Sequence, residues 1–402
     1  TFIMPNYQGV WSLSTQYQAI GDQNWPMAPG APTSVSAAAG DQQATVSFTA
    51  PTFTGVPAGI TGYLATSDPG GVTKTGSSSP LTVTGLTNGT SYTFTVQATN
   101  GVQYGPAGTS GSVSPAPQIA FFHFGSGNVI EKITIPTTGN SVDYGDLATS
   151  SYHIGACGNS TRAIFAGGSA GGDAINVIQY ISTSSGGGGS DFGNLTVALN
   201  QTSALSNSTI GMIGGGNRDG VANDDTLNKI TIASTGNAID YGNLTQAARK
   251  WRTCASPTRG IFAMGYSTAG ATNNVINYKS IASSGNMSDF GNLTGTNNDA
   301  GGSYGAGCSS STRGLISGPN NVITYITISS GGNASDFGDM TNSSRGGMGA
   351  ASSPSRALFI GGGVNIIDYV TIATTGNAID FGDISGGSTG FGAATSTAHG
   401  GL

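Results

Sequence analysis

The chain has 402 residues, of which 67 are glycine and only 8% are charged, and its formal net charge is -6 at pH 7. Average proteins hold ~7% glycine and ~25% charged residues, so a helical protein rich in Ala, Leu, Glu and Lys is excluded. The 13 lysines and arginines argue against electrostatic binding of nucleic acid, and no apolar run is long enough for insertion into a membrane. What remains is a turn-rich all-β protein that is long enough for two domains.

Residues 1–29 concentrate aromatic side chains in a stretch too short to have its own core. The start, TFIMPNYQGVW, lacks the basic region and the long apolar region of a signal peptide. Trp11, Tyr17 and Trp25 favour docking against another subunit, and packing on the neighbouring domain of the same chain is the alternative. The pattern Trp-Ser-Leu…Gln-Tyr…Asn-Trp-Pro resembles the amino ends of marine bacteriophage virion proteins, which implies an assembly arm that binds other virion proteins.

Residues 30–117 contain short alternating runs, beginning with PGAPTSVSAAAGDQQATVSFTAP and ITGYLATS, that predict strands. The run LTVTGLTNGTSYTFTVQATNGVQYGPAG carries Leu86 and then Tyr92, as in a tyrosine corner. On these residues the segment resembles a fibronectin type III domain, with Phe48 where the family usually has tryptophan. The resemblance implies a sandwich in which the Tyr92 phenol bonds to the backbone. SVSPAP then predicts a semi-rigid linker.

From residue 118 the chain repeats, and the clearest marker is Asp-aromatic-Gly at intervals of 44 to 49 residues. An alternating apolar run precedes each marker, and a strand that usually ends in glycine precedes that run. A strand of small residues follows each marker. Four strands in a unit of roughly 47 residues are typical of a propeller blade. The marker aspartates are Asp143, Asp191, Asp240, Asp289, Asp336 and Asp380.

These units resemble kelch-type blades, in which the small-residue strand is the innermost strand A and the marker strand is D. Tyr or Phe stands where kelch blades have tryptophan. The repeats begin at strand B (119–125) and end at strand A (about 389–396), so the last strand must complete the first blade. We therefore predict an all-β chain in which a fibronectin III-like sandwich precedes a six-bladed kelch-like β-propeller at 118–402, closed by the C-terminal strand. Independent β modules are the alternative, although 47 residues bury too little surface to fold alone.

Several repeated residues predict structural roles. Arg162, Arg259, Arg313 and Arg356 each precede strand B, where they are expected to pair with the marker aspartates or to cap turns between blades. The glycine of each marker predicts a bulge or a positive φ. Three cysteines occupy one repeat position, which predicts buried thiols rather than disulfides; they are Cys157, Cys254 and Cys308.

A ligand site is predicted at one mouth of the channel, at residues that start the innermost strands. Polar and aromatic groups together suit sugar binding by stacking and hydrogen bonding, and ordinary loop surface is the alternative. The predicted site residues are Tyr152, His153, Gln201, Lys250, Trp251, Arg252, Tyr304 and Phe391.

Catalytic and metal signals are weak. The single glutamate, Glu131, follows the first strand C, and no hydrolase motif or sialidase Asp box is present. The insertion GNRDGVANDDT offers Asp219, Asp224 and Asp225 as oxygen ligands for Ca²⁺, with a solvated loop as the alternative. We expect no cofactor, no other metal and no enzymatic activity.

These inferences favour a structural or appendage protein of a bacterial virus, such as a fibre, a spike or a head decoration. The arm would attach it to the virion, the fibronectin-like module would act as a spacer, and the propeller would bind a host-surface glycan or protein. We expect a homo-oligomer exposed on the particle. A bacterial surface or secreted adhesion module and a polysaccharide-active enzyme are the alternatives.

Overall fold

The computed structural model consists of β-strands that divide between two compact units, Thr1–Ala116 and Pro117–Leu402. Its described residues are 14, 18, 27–56, 58–125, 127–219, 223–267, 274–293, 305–318, 321–343, 345–387, 390 and 392–402. No helix in this described part is both long enough and apolar enough to cross a membrane.

Among its described residues, the first unit has seven strands in two antiparallel sheets, with the orders β1-β2-β5 and β4-β3-β6-β7. The strands are β1 (Thr33–Gly40), β2 (Gln43–Thr49), β3 (Gly62–Asp68), β4 (Thr73–Gly76), β5 (Leu81–Thr84), β6 (Thr93–Thr99) and β7 (Tyr104–Thr109). Alternate residues of β2, β3 and β6 are buried, as expected of strands that turn one face to a core. Phe48 packs in this core with its ring centroid 4.7 Å from that of Tyr63.

The tyrosine corner expected at Tyr92 is present. The Thr87 backbone N–H donates to the Tyr92 phenol oxygen at 3.0 Å, and Leu86 and Tyr92 both lie in the core of the unit. The backbone hydrogen bond lowers the pKa of Tyr92. The contact bridges the turn before β6, as the sequence resemblance implies.

The second unit begins with β8 (Ile119–His123), β9 (Val129–Thr134) and β10 (Val142–Asp146). The next strands are β11 (Gly155–Gly158), β12 (Arg162–Ala166), β13 (Ser169–Ala170), β14 (Asp173–Ala174), β15 (Val177–Ser182), β16 (Ser190–Asn194), β17 (Ser203–Ser206), β18 (Ile210–Asn217), β19 (Asn223–Thr231) and β20 (Ile239–Asn243). The last are β21 (Arg252–Ala255), β22 (Arg259–Ala263), β23 (Val275–Ser280), β24 (Ser288–Asn292), β25 (Gly307–Ser309), β26 (Arg313–Ser317), β27 (Val322–Thr327), β28 (Ser335–Asp339), β29 (Met348–Ser352), β30 (Arg356–Gly361), β31 (Ile366–Thr371), β32 (Ile379–Asp383) and β33 (Ala393–Ser396).

These strands form antiparallel sheets of four strands, apart from the β13-β14 hairpin. We number the sheets in the order of the sequence repeats, with the strand of small residues first. They are sheet 1 (β33-β8-β9-β10), sheet 2 (β11-β12-β15-β16), sheet 3 (β17-β18-β19-β20), sheet 4 (β21-β22-β23-β24), sheet 5 (β25-β26-β27-β28) and sheet 6 (β29-β30-β31-β32). In sheet 1 the last strand of the chain pairs with the first strand of the unit, with Ala393 opposite His123. The repeat register predicts this pairing.

Successive sheets meet along their first strands. β11 contacts β17, and the same contact joins β17 to β21, β21 to β25 and β25 to β29. β33 contacts both β29 and β11. The apolar cores lie between neighbouring sheets, since Phe121 of sheet 1 clusters with Phe165 of sheet 2, and Phe122 of sheet 1 clusters with Phe381 of sheet 6.

The last strand of each sheet is bound to the next sheet by its backbone. At Gly242 of sheet 3, φ is 114°, and an added Cβ would collide with the carbonyl oxygen of Gly285 in sheet 4. The Gly285 N–H donates to the Tyr241 carbonyl oxygen at 3.1 Å, and the Asn243 N–H donates to Asn286 Oδ1 at 3.1 Å. Marker glycines are therefore required for close backbone approach between sheets as well as for their φ values.

The repeated arginines do not pair with the marker aspartates. Arg259 donates from sheet 4 to the Ile328 carbonyl oxygen of sheet 5 at 3.1 Å, and Arg162, Arg313 and Arg356 make the equivalent contact. Asp240 instead accepts a hydrogen bond from the Gly242 N–H two residues later in its own strand. The arginines thus cap the junction between sheets by donating to backbone carbonyl oxygens. A charged donor makes a strong hydrogen bond to a carbonyl, so no carboxylate is needed.

Candidate binding site

The first strands of all six sheets line a column of three cavities. We name them the His153 cavity, the middle cavity and the His399 cavity, and their volumes are about 60, 80 and 50 Å³. Neighbouring cavities share walls at Ile154 and at Ala156, so the column follows the strands from their amino ends to their carboxyl ends. Cavities of this size hold a few water molecules or one small substituent of a larger ligand.

The wall of the His153 cavity brings together three predicted site residues from three sheets. His153, Gln201 and Lys250 precede β11, β17 and β21 and all line this cavity. Their φ values are 60°, 56° and 60°, whereas the equivalent residues before β29 and β33 are Gly347 and Gly390, with φ of 81° and 84°. A side chain in this left-handed conformation costs about 1 kcal/mol that glycine avoids. The three polar side chains therefore occupy a backbone conformation that glycine would adopt at lower free energy.

His153 is held neutral at pH 7. Burial, together with the positive charges of Lys250 and Arg249, lowers its pKa to about 4. The Tyr152 ring lies beside it, with the ring centroids 4.8 Å apart. A neutral imidazole presents both a donor and an acceptor, which suits hydroxyl groups.

Two cations stand together at this end of sheet 4. The Arg249 guanidinium carbon lies 5.1 Å and the Lys250 Nζ 5.4 Å from the centroid of the Tyr266 ring. A backbone bridge between Arg249 and Tyr266 fixes this arrangement. The ring therefore holds both charges close together by cation–π attraction, and Lys250 also lines the His153 cavity.

Trp251 and Arg252 turn into the protein. The Trp251 indole N–H donates to the Ala248 carbonyl oxygen at 3.0 Å, and only 4% of the residue is exposed. Arg252 is 2% exposed and donates to the carbonyl oxygens of Ser317 and Met264 at 2.7 and 2.9 Å. Neither side chain is exposed at the surface where we expected it, although Trp251 forms part of the cavity wall.

Other predicted functional residues lie outside the described residues. They are Tyr304 and Phe391 of the site and Trp11, Tyr17 and Trp25 of the arm.

The far end of the column is filled by residues 397–402. His399 Nε2 lies 2.7 Å from the Gly158 carbonyl oxygen and 3.2 Å from Ser206 Oγ, and burial lowers its pKa. Gly400 and Gly401 lie so close to the backbone of Ser310 and Ser206 that neither has room for a Cβ. Of the described residues, those of the chain's own end therefore occupy the His399 end of the column.

The cysteines are buried and free, as the sequence predicts. Cys157, Cys254 and Cys308 line the His399 cavity, and burial raises the pKa of Cys157 and of Cys254 to about 12. Burial also raises the pKa of Cys308. Their thiols are protonated at neutral pH, which makes them poor nucleophiles and poor metal ligands.

Two of the three aspartates proposed for calcium, Asp224 and Asp219, have side-chain partners within the protein. Asp224 pairs with Arg218 at 2.5 Å, and Asp219 accepts hydrogen bonds from the Ala174 N–H and from Asn200 Nδ2. The Asp225 carbonyl oxygen accepts the Leu244 N–H at 2.8 Å. Within the described ranges, no group of three or more His, Cys, Asp or Glu residues could hold a metal ion.

Buried acids elsewhere hold the backbone. Glu131 lies within β9 rather than after it, and its carboxylate accepts hydrogen bonds from the Ser385 and Gly386 N–H groups at 3.2 and 2.8 Å. Asp368 pairs with the fully buried Arg345 at 2.7 Å. Sequence reasoning did not find this ion pair, because Arg345 falls outside the repeated arginine position.

The comparisons with known proteins support one part of the chain. Residues 30–113 match the family of the fibronectin type III domain, so the chain carries such a domain. No curated protein matches the chain. The family match covers residues 30–113 of the first unit and leaves the six four-stranded sheets to be interpreted from their geometry.

Proposed function

We propose that residues 118–402 form a closed six-bladed, kelch-like β-propeller with which a non-enzymatic virion appendage protein binds a host-surface glycan. Support for closure comes from β33, which pairs with β8 and contacts both β11 and β29. Because the last strand completes sheet 1 and also contacts the sheets on both sides of it, the row of described sheets has no exposed end. Propellers protect their strand edges in this way.

The observation that carries the binding proposal is the His153 cavity. All six sheets contribute to its wall, and the three polar side chains on it occupy left-handed backbone positions. Strained positions of this kind gather at ligand sites, because the surrounding structure must stabilise them. A small polar cavity with a neutral imidazole, an amide and an ammonium group suits hydroxyl-bearing ligands.

The hydrogen bonds made by the buried carboxylates of Glu131 and Asp368 favour a binding function over a catalytic one. Glu131 and Asp368 each accept several hydrogen bonds from protein groups, so their carboxylates are occupied in holding loops and Arg345. Glycoside hydrolysis needs a pair of carboxylates that face the substrate. The proposal therefore assigns these acids a structural role.

The virion setting is proposed from the composition and from the first unit. The fibronectin type III domain serves as a spacer between the arm at 1–29 and the sheets, and the arm binds other virion proteins in a homo-oligomeric appendage. Few lysines and arginines leave few sites for trypsin-like proteases, which suits a protein exposed outside cells.

The test has two measurements. Mass spectrometry of purified virus particles should detect this chain. The particles are digested with a protease that does not cleave at lysine or arginine, because the chain has only 13 such residues. The purified full-length protein should bind host cells without releasing soluble sugar. Absence from particles, together with presence on uninfected bacteria, would favour a bacterial adhesion module instead. Sugar release would favour the enzyme.

A further inference from the structure

We propose that the His153 cavity takes the anionic substituent, a carboxylate or a sulfate, of an acidic saccharide, with Lys250 and Arg249 as its charge partners and Gln201 as a hydroxyl acceptor. This inference rests on the proposed function and deepens it, because it names the chemical class of the glycan.

The charge at this end is positive although the chain as a whole carries -6. Arg249 and Lys250 lie against the Tyr266 ring, and after burial their positive charges are the further causes that lower the pKa of His153. Two carboxylates of the neighbouring insertion have partners of their own, since Asp224 pairs with Arg218 and Asp219 accepts from Ala174 and Asn200. An anion is the ligand that this arrangement attracts.

The cavity also offers an acceptor. Gln201 Oε1 is buried and makes no hydrogen bond to another described residue. A buried acceptor without a donor costs free energy, which a ligand hydroxyl would recover. An anionic group beside a hydroxyl is the chemistry of uronic acids and of sulfated sugars.

The dimensions limit what enters. A cavity of about 60 Å³ admits a substituent of a few atoms and excludes a whole sugar ring. Residues 397–402 occupy the opposite end, with His399 against Gly158 and Ser206. The saccharide therefore binds outside the column and inserts only its charged group from the His153 end.

The experiment compares three probes by calorimetry with the full-length protein: galacturonotriose, the neutral galactotriose and galactose 6-sulfate. The variant Lys250→Gly removes one charge and adopts the residue found at Gly347 and Gly390, so the backbone conformation is retained. Lys74→Gly, at an exposed lysine of the first unit, is the matched control. Thermal unfolding of each variant confirms that it is folded.

We expect at least one acidic probe to bind, at least about tenfold weaker binding to Lys250→Gly, and no change for Lys74→Gly. Binding of only galacturonotriose or only the sulfate identifies the anion. Equal binding of the neutral probe, or acidic binding that is unchanged in Lys250→Gly, overturns the inference and leaves glycan adhesion standing. Binding of the protein to host cells with none of the three probes bound also overturns it. Failure to bind host cells counts against the proposed function itself.

Discussion

The Tyr241 hydroxyl donates to the Ile281 carbonyl oxygen at 2.8 Å, across the boundary between sheets 3 and 4. One boundary further on, the Arg259 guanidinium reaches the equivalent carbonyl, that of Ile328. Sheet 3 has Ile210 where sheet 4 has Arg259. A tyrosine on the last strand of sheet 3 and an arginine on the second strand of sheet 4 therefore donate to equivalent carbonyl oxygens, each in the next sheet.

The exchange involves a third position. In sheet 4 the Arg259 guanidinium carbon lies 5.1 Å from the Tyr278 ring centroid, and the marker residue is Phe290. In sheet 3 the order of cation and ring is reversed, because Lys229 Nζ lies 4.9 Å from the Tyr241 ring centroid. Read along the second, third and fourth strands, the three positions are Arg-Tyr-Phe in sheet 4 and Ile-Lys-Tyr in sheet 3. Sheets 2, 5 and 6 have the first pattern, and sheet 1 has the second.

Replacing Tyr241 with phenylalanine should destabilise the second unit by about 1 kcal/mol, because the carbonyl loses its donor. The triple change Ile210→Arg, Lys229→Tyr and Tyr241→Phe should recover most of this loss by installing the pattern of sheet 4. Tyr104→Phe, at an exposed tyrosine of the first unit, is the control. Urea unfolding followed by Trp251 fluorescence, with Trp11 and Trp25 changed to Phe, measures the second unit. A triple variant less stable than Tyr241→Phe would contradict the exchange.

Gly242→Ala should be far more damaging. The new Cβ would meet the Gly285 carbonyl oxygen, and φ of 114° is unfavourable for alanine, so we expect a loss of roughly 3 kcal/mol or more. Gly188→Ala is the control, since no atom lies within 4 Å of its added Cβ. Thermal unfolding compares the two proteins. Similar melting temperatures would show that the backbones of sheets 3 and 4 do not approach as closely as described.

The sequence predicted the strand order well. The Asp-aromatic-Gly marker identifies the fourth strand of each sheet, and the alternating apolar run identifies the third. It also held a signal for the contact between sheets that was not used: Gly285-Asn286 precedes β24 as Gly236-Asn237 precedes β20. The direction of the side chains near the site was harder to predict. Lys250 has a left-handed φ of 60° shortly before β21, so counting repeat positions back from the cysteine position did not reveal that Trp251 and Arg252 turn inward.

The position of His399 was also beyond sequence reasoning. The sequence places it in a tail, and only the packing of Gly400 and Gly401 against Ser310 and Ser206 brings it to Gly158. The signal was the pair of adjacent glycines, which permits such close backbone approach.

The pKa of His153 provides a pH test. The neutral form is favoured in the folded state because its pKa falls from 6.5 to about 4. The folded state therefore has its full stability from this group above pH 6.5 and loses it as the pH falls toward 4. NMR titration, with His153→Gln to assign the signal, should give a midpoint near 4. Lys250→Gly should raise that midpoint, because one of the repelling charges is gone, and an unchanged midpoint would remove Lys250 as a cause.

Two truncations distinguish the last strand from the segment that follows it. Removal of residues 397–402 deletes the His399 contacts but keeps β33, so we expect a folded second unit, an unchanged oligomeric state and a modest loss of stability. Removal of residues 392–402 also deletes β33, which exposes the edge of β8 and the core around Phe122. An uncovered edge next to an apolar core favours unfolding or self-association. Size-exclusion chromatography with light scattering and circular dichroism measure both proteins. If the longer truncation is as stable as the shorter one and has the same oligomeric state, β33 does not hold sheets 6, 1 and 2 together.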